Sequence, residues 1–384
     1  MNRKLRMGMV GGGRDAFIGA VHRMAACMDG LVELVCGAFS STPEKSKASG
    51  RDLFLPEERV YGTFQEMFEK ESRLPEDRRM DFVSIVTPNH MHFPPARMAL
   101  ESGFPVVCDK PMTFNLEEAK QLEALVDKTG LLFCLTHNYT GYPMVKQAQH
   151  LVKDGKLGKI RKVVVQYPQD WLATREETGD NKQAAWRTDP KRAGATCCMG
   201  DIGSHAENLV EYITGLEVQE LCADFTTFVS GRPLEDDANC LIHYKGGARG
   251  VLIASQISIG EENGLRIRVY GEKGGLGWAQ QEPNTLVVNW MGKPSAIHRT
   301  GGGYVFDRVA SSTRLPAGHP EGYLEGFANL YRNFAMALAR RLDGGEAKTE
   351  YLDFPDVKVG VRGMAFLATV VESSKSGRWL EMLS

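Results

Sequence analysis

Neither charge nor hydrophobicity is concentrated anywhere in this chain. Its 46 basic and 48 acidic side chains leave a formal net charge of -2, which offers no electrostatic footprint for nucleic acid or an anionic membrane. No apolar run approaches the roughly 20 residues of a transmembrane helix. The basic start Met1-Asn2-Arg3-Lys4-Leu5-Arg6 leads into an apolar run that Gly11, Gly12 and Gly13 end almost at once, so it predicts a strand and not an export signal. There is no internal repeat and no low-complexity tract. None of the eight cysteines forms a Cys-x-x-Cys; thiols scattered through apolar runs are those of reduced, buried cysteines and predict a cytoplasmic protein. Cys197 and Cys198 stand near Asp201 and His205, but the spacing matches no common zinc pattern and no metal is expected.

What is present is the composition of an ordinary globular protein, 42% hydrophobic and 24% charged over 384 residues, long enough for about two domains. The stretch Phe104-Pro-Val-Val-Cys-Asp-Lys-Pro-Met112 organises the rest. Val106, Val107 and Cys108 read as a strand buried on both faces. Asp109 and Lys110 therefore fall at its carboxyl end, where open α/β sheets bind ligands, and Pro111 blocks continuation.

Around it, strands at 5–10, 31–39, 82–86 and 131–135 alternate with helices at 20–28, 43–53, 94–101 and 116–127, the rhythm of a doubly wound parallel sheet. The first strand runs into Gly11-Gly12-Gly13. A glycine turn between strand and helix lets backbone amides approach a pyrophosphate, although a plain tight turn reads the same way. The third glycine of G-x-G-x-x-G would fall at Ala16, whereas the next one is Gly19, as though three residues were inserted. After the second strand, Ala38-Phe39-Ser40-Ser41-Thr42-Pro43 carries no acid for the adenosine ribose. Ser40, Ser41 and the nearby Lys45 leave NAD and NADP both open.

Beyond about residue 138 the rhythm changes. A helix at 145–153 and a strand at 160–167 precede a long polar segment, 169–195, with Trp171, Trp186 and Arg187; a loop of that length is usually functional. A helix at 199–216 follows, then strands near 218–228, 238–244, 249–259, 265–270 and 285–290, whose short turns predict a largely antiparallel sheet. Helices at 321–341 and 357–374 close the chain. Asp201 and His205 lie four apart at the start of their helix, on one face, with Leu209 continuing His205's inward stripe. Pro320 and Glu321 read as a helix start, leaving His319 just outside it.

These stretches together resemble the Gfo/Idh/MocA oxidoreductases: Gly11 to His22, Thr87-Pro88-Asn89-His90-Met91-His92, Asp109-Lys110-Pro111, Trp186-Arg187, Asp201 to His205, and His319-Pro320-Glu321-Gly322-Tyr323. The resemblance implies an α/β protein with a Rossmann domain, residues 1–137, and a substrate-binding and oligomerisation domain, residues 138–384, built on a large, mostly antiparallel open sheet. It implies a cleft between them, a bound NAD or NADP, and a homodimer or homotetramer formed through that sheet. Contact with the cofactor carries over to Gly11, Gly13, Phe17 and Ile18, to Thr87, Pro88, Asn89 and His92, and to Asp109, Lys110, Asn138, Trp186 and Arg187, beside Ser40, Ser41 and Lys45. Contact with a carbohydrate or cyclitol carries over to Lys110, Asp201, His205 and His319. Tyr139, Tyr142 and Trp171 offer flat faces that suit a sugar ring and equally suit a core. Two departures stand out: Asp109 replaces the family's usual Glu, and the glycine loop carries the insertion around Asp15 to Phe17.

By the same resemblance Lys110, Asp201 and His205 are the catalytic set. An unperturbed imidazole titrates near 6.5, whereas a lysine must fall from about 10.4 to serve as a base. His205 is therefore the expected proton acceptor, Lys110 the group that holds the substrate oxygen, and Asp201 their support. The expected activity is hydride transfer between nicotinamide and a ring hydroxyl of a sugar, glycoside or cyclitol, with 3-oxidation of a glycoside the favoured case. The alternatives are glycoside cleavage through transient oxidation and elimination, and a noncatalytic sugar- or nucleotide-binding regulator, against which the joint presence of lysine, aspartate and histidine speaks.

Overall fold

Strand Leu5–Gly11 (β1) is buried along six of its seven residues, as a strand covered on both faces must be. The computed structural model describes residues 3–14 and 16–383. Val32–Ala38 (β2), Phe82–Val86 (β3), Val106–Cys108 (β4) and Phe133–Leu135 (β5) join β1 in a parallel sheet of order β2-β1-β3-β4-β5. The order reverses at β1, whose Gly11 pairs with Val86 of β3, so the ligand-binding crevice of such a sheet opens beyond these two carboxyl ends. The intervening helices are Phe17–Cys27, Pro43–Asp52, Phe93–Glu101 and Leu116–Thr129, with Phe64–Arg73 an addition to the sequence expectation.

The second sheet is built from Ile160–Pro168 (β6), Val218–Thr226 (β7), Asp237–Tyr244 (β8), Arg249–Ser255 (β9), Arg266–Gly271 (β10), Gly274–Ala279 (β11), Thr285–Trp290 (β12), Ala296–Arg299 (β13) and Leu380–Glu381 (β14). Among the described residues its order is β13-β12-β11-β10-β6-β9-β8-β7-β14, antiparallel except where β6 runs parallel to β9. The fold is thus α/β, a Rossmann-like parallel sheet plus a large, mostly antiparallel one, as expected. One row of laterally paired residues crosses the outer face: Cys222, Leu241, Val251, Val164, Arg268, Gly277, Val287 and Ile297. All are at least partly exposed, and apart from Arg268 the row is apolar or glycine. Among the described residues no helix is long and apolar enough to cross a membrane.

The chain divides into two compact units, and not at a single point near residue 138. One unit runs to Asn138 and takes in Phe327–Val361; the other is Tyr139–Gly326 with the residues from Arg362 onward. The sequence expectation of an unbroken second domain missed this return. Its cause is packing: Phe334 lies 5.1 Å from Phe82, Phe327 lies 4.7 Å from His22, and Leu135 of β5 donates its N–H to Pro355 O.

Candidate functional site

In the first unit, Gly11 and Gly12 adopt φ of +81° and +69°, a region glycine enters at no steric cost. A Cβ on Gly19 would stand 2.3 Å from Gly12 Cα. Gly19 therefore performs the close helix packing expected of a third glycine, displaced by the longer loop. The helix begins at Phe17 after Ala16, with no side-chain cap, so the first amides, Phe17 and Ile18, have no acceptor in the helix and suit an anion. Beside them lies a cleft of about 450 Å³ lined by Gly12, Gly13, Ala16, Phe17 and Ala20, with the Phe17 ring 68% exposed. Arg14 ties the loop to the next helix through Asp52 (2.7 Å) and Ser49. Asp15 of the expected insertion lies outside the described residues. Ser40 is half-buried, and Ser41 and Lys45 are exposed. The glycine cradle, the uncapped amides and the exposed ring fit the dinucleotide that the sequence implies.

Next to this cradle are the ends of β3 and β4. Thr87 Oγ1 donates to Met91 O (2.8 Å), shaping the turn that carries Pro88 and the buried Asn89. His92 is buried, with Nδ1 2.7 Å from Pro111 O and Nε2 2.7 Å from Thr87 O. It joins the two strand ends as a clamp, and burial lowers its pKa against the pull of Asp109. Asp109 Oδ1 accepts from Lys110 N (2.8 Å) and Thr136 Oγ1 (3.0 Å). The acid thus brackets the lysine's backbone. His137, buried beside them, is pushed down to about 3, first by burial and then by the charge of Lys110, with Asp109 opposing. Asn138 is buried at the end of the same segment.

The second unit holds the other half of the expected set. Asp201 sits in a π-helical turn, Met199–Gly203, and the α-helix Ser204–Thr214 begins only after it. The α-helical face argument for Asp201 and His205 therefore needs correcting, because the wider turn between them shifts their relative angle; such turns recur at functional sites. Glu235 holds the start of the turn by accepting from Cys197 N (3.0 Å) and Met199 N (2.9 Å), and burial pushes its pKa up to about 7. Asp201 Oδ2 lies 2.9 Å from its donor Gln256 Nε2 and 3.0 Å from Arg187 Nε. The Arg187 guanidinium in turn lies 4.3 Å from the Trp186 ring and 5.7 Å from that of Trp171. The long polar segment, which includes short helices at Lys182–Arg187 and Pro190–Ala193, thus delivers an aromatic-flanked cation onto Asp201.

His205 is buried and meets the Tyr139 ring edge-on at 4.9 Å. Tyr139 is fixed by a hydroxyl contact with Tyr167, which donates to Asn263 Oδ1 (2.7 Å). Tyr142 stacks on Tyr139 and packs on Trp278 and Gly326 while 1% exposed, the surroundings of a core residue. His319 is exposed, with Nδ1 3.1 Å from Pro316 O. The helix-start reading of Pro320 and Glu321 is overturned: the helix begins at Tyr323. Buried Glu321 instead accepts from Leu315 N (2.7 Å), and Glu325 accepts from Gly322 N (2.8 Å) at the true start. The sequence reading missed Glu235, Gln256 and Asn263. No local motif marks them, because their partners are distant in sequence.

A family model described as "Oxidoreductase family, NAD-binding Rossmann fold" matches residues 5–137, and one described as "GFO/IDH/MocA C-terminal domain" matches residues 145–277. The chain is 34% identical to "Uncharacterized oxidoreductase YfiI" of Bacillus subtilis (strain 168), over 99% of this chain and 98% of the other. It is 25% identical to levoglucosan dehydrogenase of Pseudarthrobacter phenanthrenivorans, over 74% of this chain and 76% of that one. An inositol dehydrogenase homolog from Azotobacter vinelandii, solved with NAD+, superposes with a TM-score of 0.94 at 36% identity, over 99% of this chain and 98% of its own. An inositol dehydrogenase homolog from Azotobacter vinelandii solved with NADH and myo-inositol matches with a TM-score of 0.91 at 34% identity, over 99% of this chain and 98% of its own.

Proposed function

The chain belongs to the Gfo/Idh/MocA family of NAD-binding oxidoreductases, and from that premise we propose that it transfers a hydride between a nicotinamide cofactor and a ring secondary hydroxyl of a sugar, glycoside or cyclitol. The observation that carries this reading is the setting of Asp201, whose Oδ2 accepts from Gln256 Nε2 and is ion-paired with the Arg187 guanidinium in the turn that leads into His205. A carboxylate that accepts a hydrogen bond and lies beside a guanidinium is fixed in place, and its negative charge favours positive charge developing on an imidazole.

In this reading His205 accepts the hydroxyl proton, Lys110 holds the substrate oxygen as its negative charge develops, and Asp201 steadies both. Bound NAD or NADP supplies the hydride acceptor. Gly11, Gly13, Phe17 and Ile18 would hold its pyrophosphate, and Ser40, Ser41 and Lys45 its adenosine ribose. A relative bound to myo-inositol and one named for levoglucosan favour a polyhydroxylated ring as substrate. The apolar row across the outer sheet face suits association with a second copy of this chain, and free, mostly buried cysteines suit a reducing cytoplasm.

Mass spectrometry of the protein as purified, followed by titration with NAD and NADP and assays of nicotinamide reduction over a panel of cyclitols, glycosides and free sugars, tests the reading. One cofactor bound and one ring polyol oxidised is the expected result. Binding of neither nucleotide would overturn it.

A further inference from the structure

Behind the Asp109–Lys110 bracket lies a buried line of polar groups to which no role has been given. His22 is fully buried; its Nδ1 is 2.7 Å from Tyr331 Oη, and Tyr331 Oη is 2.7 Å from Ser84 Oγ. The other ring nitrogen, Nε2, has no hydrogen-bond partner and faces Asp109 Oδ2 across 3.9 Å. Oδ1 of the same carboxylate holds Lys110 N and Thr136 Oγ1, so Oδ2 is the atom through which anything behind the bracket can act on it.

The tautomer follows from the partners. A carboxylate only accepts, so a lone pair on Nε2 facing it would be repelled, whereas an N–H would be attracted. With the proton on Nε2, Nδ1 must accept from Tyr331, whose oxygen is then free to accept from Ser84. Every hydrogen along the line thus points toward Asp109. The separation exceeds an ordinary N–H···O bond by roughly 1 Å, a gap that one added C–C bond of about 1.5 Å would bridge. The contact is therefore an oriented dipole on the carboxylate, one methylene short of a hydrogen bond.

We propose that His22 is a positioning residue for Lys110, acting through Asp109 as an Nε2–H imidazole whose proton is aimed at Oδ2 by the line from Ser84 through Tyr331. The charged and titratable groups that bear on His22 are Asp109, His92 and Arg23, and burial outweighs the pull of Asp109, pushing its pKa down to about 4. His22 is thus neutral near pH 7, where this line can work. The role rests on Lys110 holding the substrate oxygen.

The test is histidine 15N NMR of the full chain without cofactor, joined to kinetics. The wild-type ring should carry its proton on Nε2 between about pH 6 and 8. Tyr331→Phe should lose that preference. Asp109→Glu should close the gap and raise the His22 titration midpoint by about one unit, a tenfold gain in proton affinity. His22→Asn should lower kcat by about tenfold while affinity for NAD or NADP stays within twofold. An Nδ1–H ring in the wild type, an unmoved midpoint in Asp109→Glu, or wild-type kcat in His22→Asn overturns the proposal. Should neither nucleotide bind while the Nε2–H ring is present, the hydride-transfer reading fails instead.

Discussion

His205 and Lys110 lie on different units, and their replacement should produce separable losses. His205→Ala removes the proposed proton acceptor and is expected to lower kcat/KM by about 10²–10⁴-fold with little change in cofactor affinity. Lys110→Ala should lower turnover comparably. Steady-state kinetics with titration of each variant by NAD and NADP checks both. Two residues along the same helix as His205, Glu207 is buried and its pKa is pushed up to about 8, first by burial and then by the charge of Glu211, with Arg362 opposing. A carboxyl whose folded pKa lies above its unfolded value binds its proton more tightly when folded. Stability is therefore lost as pH rises from about 4.5 toward 8, a fall on the order of 1–3 kcal/mol. Thermal melts at closely spaced pH should show that slope in the wild type and its flattening in Glu207→Gln. At this scale the sequence placed Asp109 and Lys110 just past a buried strand, and β4 does end at Cys108, because a buried strand that stops on charge leaves few places for them. It did not reveal Gln256, whose link to Asp201 spans 55 positions.

Elements were legible where periodicity was strong. The strand predicted at 82–86 is found with those bounds, as is the one at 285–290. The missed helix Phe64–Arg73 carried a readable signal: Thr63 accepts from Glu66 N (3.1 Å) while Glu66 accepts from Gly62 N (2.9 Å), a pattern close to a capping box. β11 was missed because Gly274, Gly275 and Gly277 give a strand little local propensity; its neighbours supply the pairing. The π turn at Asp201 was not legible, since it depends on Glu235 arriving from the loop between β7 and β8, distant in sequence. The glycine loop offers the sharpest test of an element's geometry. Gly19→Ala would put a methyl 2.3 Å from Gly12 Cα and 2.6 Å from Gly12 O, backbone that has to shift. The variant should lose about 1–3 kcal/mol of stability and at least about tenfold in nucleotide affinity, equivalent to roughly 1.4 kcal/mol. Calorimetry on the same preparation measures both.

For the whole molecule, the outer row of the large sheet predicts self-association. Leu241 is 52% exposed and Ile297 56% exposed, near the two ends of that largely apolar row. Leu241→Arg together with Val251→Arg should lower the mass seen by light scattering to that of one chain of 42.5 kDa, with little change in secondary structure. An unchanged assembly would place the interface elsewhere.

The return of Phe327–Val361 to the first unit also governs how the chain can be made. A ribosome releases the parallel sheet long before it releases the aromatic segment that seals it. At about 5–20 residues per second, the nascent sheet waits roughly ten to forty seconds for Phe327, Tyr331 and Phe334. Until then His22, Ser84 and Phe82 lack the partners that cover them in the finished protein. The nucleotide-binding half, although translated first, is thus completed almost last. Nascent chains stalled before Phe327 should be cut readily by protease within their first 138 residues, and those stalled well past Val361 should resist.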